Sequence, residues 1–164
     1  MSTVLSKPSG LSAEHLHTAH KRIEHTLSLA LDLSGEMNYT QGPGRWSGIT
    51  DHRRAYKGQV PIDSDCSAFA TWVWWDATLR WHPKDFINGQ AWKAGYTGTM
   101  VARGLIVPKP TLPGDLVIYG TGVNNTQHVA VGVGDGKHVV GHGSPGAHFS
   151  EWDYRPVVRV VRPR

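Results

Sequence analysis

Cysteine occurs once in these 164 residues, at Cys66. A single thiol excludes an internal disulfide and any metal site built on several thiolates, so the fold must hold without a covalent staple. Long apolar runs are absent as well. The opening MSTVLSKPSGLSAEH lacks the apolar stretch of a secretory leader, and nothing downstream reads as a transmembrane helix. Charge of neither sign is concentrated. The formal net charge of +4 comes from scattered residues, with Arg53-Arg54 and the tail Arg159, Arg162 and Arg164 nearest to clusters. With no basic stripe joined to a recognisable module, neither nucleic acid nor a membrane is an expected partner. The sequence also contains no Gly-x-Ser-x-Gly elbow, no His-Glu-x-x-His pair, no Walker loop and no dinucleotide fingerprint.

What is present suits one domain, residues 1–164, with a flexible start over residues 1–11. Tryptophan is plentiful. Trp72, Trp74, Trp75, Trp81 and Trp92 fall within 21 positions, more than a core requires, so some are expected to line a groove. Ser12 can cap a helix whose apolar stripe is Leu16, Ala19, Ile23, Leu27 and Ala30, stopping at Gly35. His15, His17, His20 and His25 ride on it. His17 and His20 could share a face, but no third ligand stands in register, and no metal or cofactor is expected.

Residues 35–62, broken by Gly42-Pro43-Gly44, Gly48, Gly58 and Pro61, read as a long loop. Tyr39, Trp46 and Ile49 could pin it as the rim of a site. A second helix begins at Ser64 or Asp65, with Phe69, Ala70, Val73 and Ala77 on one buried face, and ends at Trp81-His82-Pro83. One or two short helices are expected over 84–96. Strands follow at Leu116–Tyr119, at His128–Val133, across the Asp135-Gly136 turn at His138–His142, and at Arg155–Val161. Helices first and antiparallel strands second make an α+β domain, with N-terminal helices packed on a central antiparallel sheet.

Cys66 falls in the first turn of the second helix, where the backbone field favours a thiolate. A thiol nucleophile needs a base, and the base needs an orienting partner. His128 follows a Gly- and Asn-rich loop, and its strand sets His128, Ala130 and Gly132 against a core face of Val129, Val131 and Val133. Alternation along the next strand groups His138, Val140 and His142, which makes His142 a candidate partner for the His128 imidazole. Asp115, Asn124, Asn125, Glu151 and Asp153 are the other candidates.

Several segments together resemble the NlpC-type cysteine peptidases of the bacterial wall, and within them the catalytic domains of endolysins from phages of mycobacteria and related actinobacteria. They are Tyr39 to Ile49 (YTQGPGRWSGI), Asp65 to Trp72 (DCSAFATW), Asn88 to Gly98, Pro113 to Tyr119 (PGDLVIY), Gln127 to Gly136, Val140 to Ser144, and Asp153 to Pro156. The resemblance implies a papain-like α+β fold, Cys66 as nucleophile, His128 as base and His142 as third residue, two positions beyond the usual slot at Val140. Ala68 stands where the family has glycine. Tyr39 resembles a tyrosine near the nucleophile. With Asp65, Ser67, Trp46 and Trp92 it is expected to bind substrate or stabilise an oxyanion. The implied substrate is an amide in the peptide stem of peptidoglycan, D-γ-glutamyl–meso-diaminopimelate before the muramoyl–L-alanine bond, with no metal or cofactor. The implied setting is a monomer made in a phage-infected host without a signal peptide, reaching the wall once the membrane is permeabilised. A non-catalytic wall-binding module is the rival reading.

Overall fold

The computed structural model describes residues 3–6, 9–78, 84–144 and 146–164. Helix α1 (Ala13–Asp32) starts where Ser12 Oγ accepts the His15 N–H, and it buries Ala19, Ile23, Thr26, Leu27 and Ala30. Among the described residues no helix is long and apolar enough to cross a membrane.

The glycine-rich stretch is ordered by small elements. Strand β2 (Asn38–Tyr39) pairs in parallel with β3 (Asp63–Ser64), closing the stretch into a loop. Between them lie a 3-10 turn at Pro43–Trp46, the short helix α2 (Ser47–Thr50) and another 3-10 turn at Ala55–Lys57. Ser47 ties the two ends together: its Oγ donates to the Asp63 carbonyl at 2.7 Å and accepts the Asp63 N–H at 2.9 Å.

Helix α3 (Cys66–Thr78) departs from the expectation of one apolar face, because all thirteen of its residues are buried. It runs through the centre of the molecule, between α1 and the sheet. Trp72, Trp74 and Trp75 are therefore core residues at 3% exposure or less, not a groove lining. Two of them satisfy their indole N–H groups on backbone carbonyls, Trp72 on Arg53 and Trp74 on Gly114, each at 2.9 Å, as buried indoles generally must. The Trp74 contact explains Gly114. Its φ is +98°, and a Cβ there would lie 2.6 Å from the Trp74 ring, so only glycine fits the turn. The expected break at Trp81-His82-Pro83 lies outside the described residues. Residues 84–96 form turns rather than the short helices expected, and the helical turn α4 comes later, at Thr97–Met100.

The sheet is antiparallel throughout. In the order of their positions across it, its strands are β1 (Thr3–Val4), β4 (Leu105–Val107), β9 (Val157–Arg162), β5 (Leu116–Gly122), β6 (Asn125–Gly132), β7 (His138–Gly143) and β8 (Gly146–Glu151). The segment expected to be flexible thus supplies an edge strand: Thr3 pairs with Ile106, and the Leu5 N–H reaches the Gly104 carbonyl at 2.7 Å. Strand β8 was not foreseen. The β5–β6 hairpin is tighter than expected, so His128 sits in the middle of β6 rather than at its start. Leu116, Ile118, Val129, Val131, Val140 and Val161 pack toward α1 and α3. Val117, Tyr119, Ala130, Val139 and Val160 form a smaller core on the other face. Two faces both apolar at the centre mark a sheet covered on each side.

Candidate active site

The N-terminus of α3 is built around Asp65. Its Oδ1 accepts the Ala68 N–H at 2.8 Å, and its backbone carbonyl accepts the Phe69 N–H, the pattern of an N-cap carboxylate. Arg45, which sequence reasoning missed, fixes that carboxylate. Its Nη1 donates to Asp65 Oδ2 at 3.0 Å and to Ser67 Oγ at 2.9 Å, while Nη2 donates to the Gly95 carbonyl at 2.9 Å. The Arg45 guanidinium also lies 4.2 Å above the Trp46 ring. Of the residues proposed to touch substrate, Asp65, Ser67 and Trp46 are thus 8% exposed or less and locked into this frame. Trp92 packs edge-on against Phe86 at 6.2 Å, beside the core, and does not line the cleft of His128 and His142.

Cys66 is 7% exposed. Burial pushes its thiol up to about 11, although the N–H groups of Val129, Ser67 and Cys66 itself pull the other way. The expected lowering by the helix terminus is therefore outweighed by desolvation. Tyr39 stands close enough to feel a charge on the sulfur when the thiol ionises. Its own phenol is held above the ordinary range, first by burial and then by Cys66, so it stays a hydroxyl donor at neutral pH.

Beside this point a cleft of about 280 Å³ opens, walled by Tyr39, His128, His142, His148, Tyr154 and Arg155 among others. The opening follows from strand pairing. Strands β6 and β7 pair at Val131↔Val140 and Gly132↔Val139, and the pairing stops there although both strands continue. That register corrects an expectation. Extended by alternation, it sets His128 on the face shared with Gly141 and Val139, while His142 joins Val129 and Val140 on the helix side. The His142 ring stacks between Tyr39 at 5.6 Å and Phe69 at 6.0 Å. It is fully buried, and neither ring nitrogen has a hydrogen-bond partner among the described residues. The Met37 carbonyl faces the ring closely enough to favour its protonated form, without hydrogen-bond geometry. The imidazole–imidazole hydrogen bond expected between His142 and His128 is not formed.

His128 is held by stacking instead. Its ring lies 5.7 Å from that of Tyr119, whose hydroxyl donates to the Trp152 carbonyl at 2.7 Å. Burial, then Arg155, then His142 press its pKa down to about 4, against a smaller opposing pull from Asp65. His142 is likewise lowered to about 4, chiefly by burial. The resting site is a neutral thiol beside neutral imidazoles. The remaining orienting candidates are engaged or peripheral: Asp115 is paired with Arg162 at 2.8 Å, and Asn125 donates to Thr121. Asn124, Glu151 and Asp153 are exposed. Arg155 and His148 escaped sequence reasoning, His148 because β8 was unforeseen and Arg155 because only the fold brings it to His128. Among the described residues no group of three His, Cys, Asp or Glu side chains is gathered closely enough to hold a metal ion.

Residues 45–153 match the family model described as NlpC/P60, a span running from Arg45 past His148. The chain belongs to the NlpC/P60 family. Its fold is similar to the NlpC/p60 domain of the peptidoglycan hydrolase SagA, with a TM-score of 0.54 and 20% identity over 87% of this chain and 97% of that one. It is also similar to NlpC2 from Trichomonas vaginalis, with a TM-score of 0.54 and 14% identity over 96% of this chain and 51% of the other. No curated protein sequence matches the chain. As an NlpC/P60 domain, it carries its only thiol at the buried end of a central helix, next to a cleft that holds three histidines and an arginine.

Proposed function

We propose that this NlpC/P60 domain is a cysteine endopeptidase that cuts an amide in the peptide stem of bacterial peptidoglycan, at the D-γ-glutamyl–meso-diaminopimelate bond. The observation that carries the reading is the position of the only cysteine. It stands at a capped helix N-terminus, beside the strand that carries His128 and near enough to Tyr39 for a charge on the sulfur to raise the phenol's pKa. In this reading Cys66 Sγ, on the helix side of the sheet, gives its proton to the His128 imidazole through the opening where β6 and β7 part, as it bonds to the amide carbon. The carbonyl oxygen gains charge and takes hydrogen bonds from the first-turn N–H groups of α3 and the Tyr39 hydroxyl. The imidazolium then protonates the departing amine as the C–N bond breaks, and water releases the acyl group from sulfur.

His142 acts as a positioning residue, through Tyr39 and Phe69 rather than by bonding His128. Arg155 has no ion pair among the described residues and shares the cleft wall with His128. It is placed to receive a stem carboxylate, whose negative charge would offset the guanidinium and restore basicity to His128. The motif series from Tyr39 to Pro156 supports a phage lysin of actinobacterial walls that meets its substrate after membrane permeabilisation.

The test is mass spectrometry of muropeptides released from actinobacterial peptidoglycan by the wild type and by Cys66→Ala. New amino termini on diaminopimelate, absent with the variant, support the endopeptidase. Glycan strands freed of intact stems would instead assign the amidase, and identical products from the two proteins would end the thiol mechanism.

A further inference from the structure

The opposite end of α3 borders a second and larger cleft, about 710 Å³, whose described lining shares no residue with the histidine cleft. Asp76, on its wall, lies ten residues beyond Cys66, or about 15 Å along the helix axis. The cleft volume falls within the range that small-molecule sites occupy.

Its charge is one-sided. Lys21, Arg22 and His25 from α1 and Arg54 from the loop face a single carboxylate, Asp76. Arg54 already engages that carboxylate: its Nε lies 2.8 Å from Asp76 Oδ1, at an angle too bent for a hydrogen bond, and its Nη2 donates to the Asp76 carbonyl at 3.0 Å. Arg22 Nη1 reaches toward the Ala77 carbonyl at 3.5 Å, which turns it to the same wall. Lys21 has no ion pair among the described residues. Three permanent cations against one carboxylate leave a net balance of two positive charges on the lining, which suits a dianion. At the rim, the Tyr56 ring is 72% exposed, with the Arg54 guanidinium 5.5 Å and the Lys57 ammonium 5.8 Å from its centre. An exposed ring held beside a cationic hollow has no role in the core and offers a flat apolar platform.

We propose that this cleft binds a sugar phosphate, with the phosphate among Lys21, Arg22 and Arg54 and the sugar ring against Tyr56. The site uses the part of the histidine-bearing first helix that the hydrolytic reading leaves without a role. The assignment does not depend on that reading.

Isothermal titration of the full chain at low salt with glucose 6-phosphate, glucose, inorganic phosphate and AMP tests it. Glucose 6-phosphate should bind saturably and more tightly than phosphate or glucose. Lys21→Glu should weaken it at least about tenfold, the scale of one charge-assisted hydrogen bond, and Tyr56→Ala by about fivefold, within what ring contacts contribute. Both side chains are exposed, so circular dichroism and Cys66-dependent hydrolysis of a soluble stem peptide should stay at wild-type levels. Absence of saturable binding, or affinity unchanged by Lys21→Glu, overturns the site. Phosphate binding as tightly as the sugar phosphate, or AMP binding at least as tightly, overturns the saccharide assignment.

Discussion

Gly141 on β7 lies directly beneath the imidazole of His128 on β6: a Cβ at that position would stand 3.1 Å from His128 Nε2 and 3.2 Å from the Ala130 Cβ. The imidazole is thus clamped between the Tyr119 ring and a stretch of backbone that has no side chain. Its place is set by packing, with no hydrogen-bonded orienting group among the described residues.

Gly141→Ala should therefore shift the ring without unfolding the sheet. Peptide hydrolysis is expected to fall by about 10- to 100-fold, the scale of an ångström's misplacement of a reacting group. Circular dichroism should be retained, and the His128 imidazole resonances should move. Full activity in Gly141→Ala would show that His128 does not act from this position.

His142 predicts an acid-sensitive fold. Its pKa is lowered to about 4 in the folded chain from an ordinary 6.5. The stability this provides is fully present above pH 6.5 and is lost as pH falls through 4. For a fully buried ring the loss amounts to about 3 kcal/mol. His142→Phe keeps a stacking ring between Tyr39 and Phe69 and removes two nitrogens that have no hydrogen-bond partner among the described residues, so at pH 7 it should be at least as stable as the wild type. Urea midpoints at pH 7 and pH 4 check this. The variant should lose less stability between those values, and an equal loss would place the titrating group elsewhere. A drop in its activity at pH 7, with stability unchanged, would reveal the positioning role.

The Arg45–Asp65 pair predicts strong coupling. The two side chains are 17% and 10% exposed. Removing either partner strands the other, so Arg45→Ala should cost about 3 kcal/mol, the low end for one partner of a buried pair. The Asp65→Ala change also loses the α3 cap, worth about 1 kcal/mol. The double variant should cost clearly less than the two single effects added together, as groups in one network do. Additive losses in denaturant titrations would mean that the pair is not a unit.

Much of this was readable from local pattern. Ser12 capping α1, the stripe from Ala19 to Ala30, the Pro113-Gly114 turn and the Asp135-Gly136 hairpin are decided by neighbouring residues, and each stands as expected. What failed is decided at a distance. The face of His142 depends on one register across the β6–β7 hairpin, and a shift of one residue inverts every side chain. The thiol's basicity depends on how deeply the sheet covers Cys66, which no spacing around Asp65 reveals. The tryptophans looked like groove residues because five of them within 21 positions exceed what a core usually holds, yet the fold encloses α3 on all sides and buries the three it carries. Arg155 and His148 come from segments more than eighty residues beyond the cysteine, and only the sheet brings them to the cleft.

Arg155 supplies the most direct electrostatic test. After burial, its guanidinium is the largest influence holding His128 down near 4. Replacing it with glutamine removes a positive charge from beside the imidazole while keeping most of the side chain, so the pKa of His128 must rise toward 6.5. A base that titrates higher loses its proton-accepting form earlier on the acid side. The acid limb of kcat/KM against pH should therefore move to higher pH in Arg155→Gln, and a histidine titration followed by NMR should move with it. If Arg155 also receives a stem carboxylate, KM should rise for a substrate with a free D-glutamyl α-carboxylate and stay nearly constant for its amidated form. A limb that moves without the KM difference leaves Arg155 as a tuner of His128 alone, and an unmoved limb removes it from the site altogether.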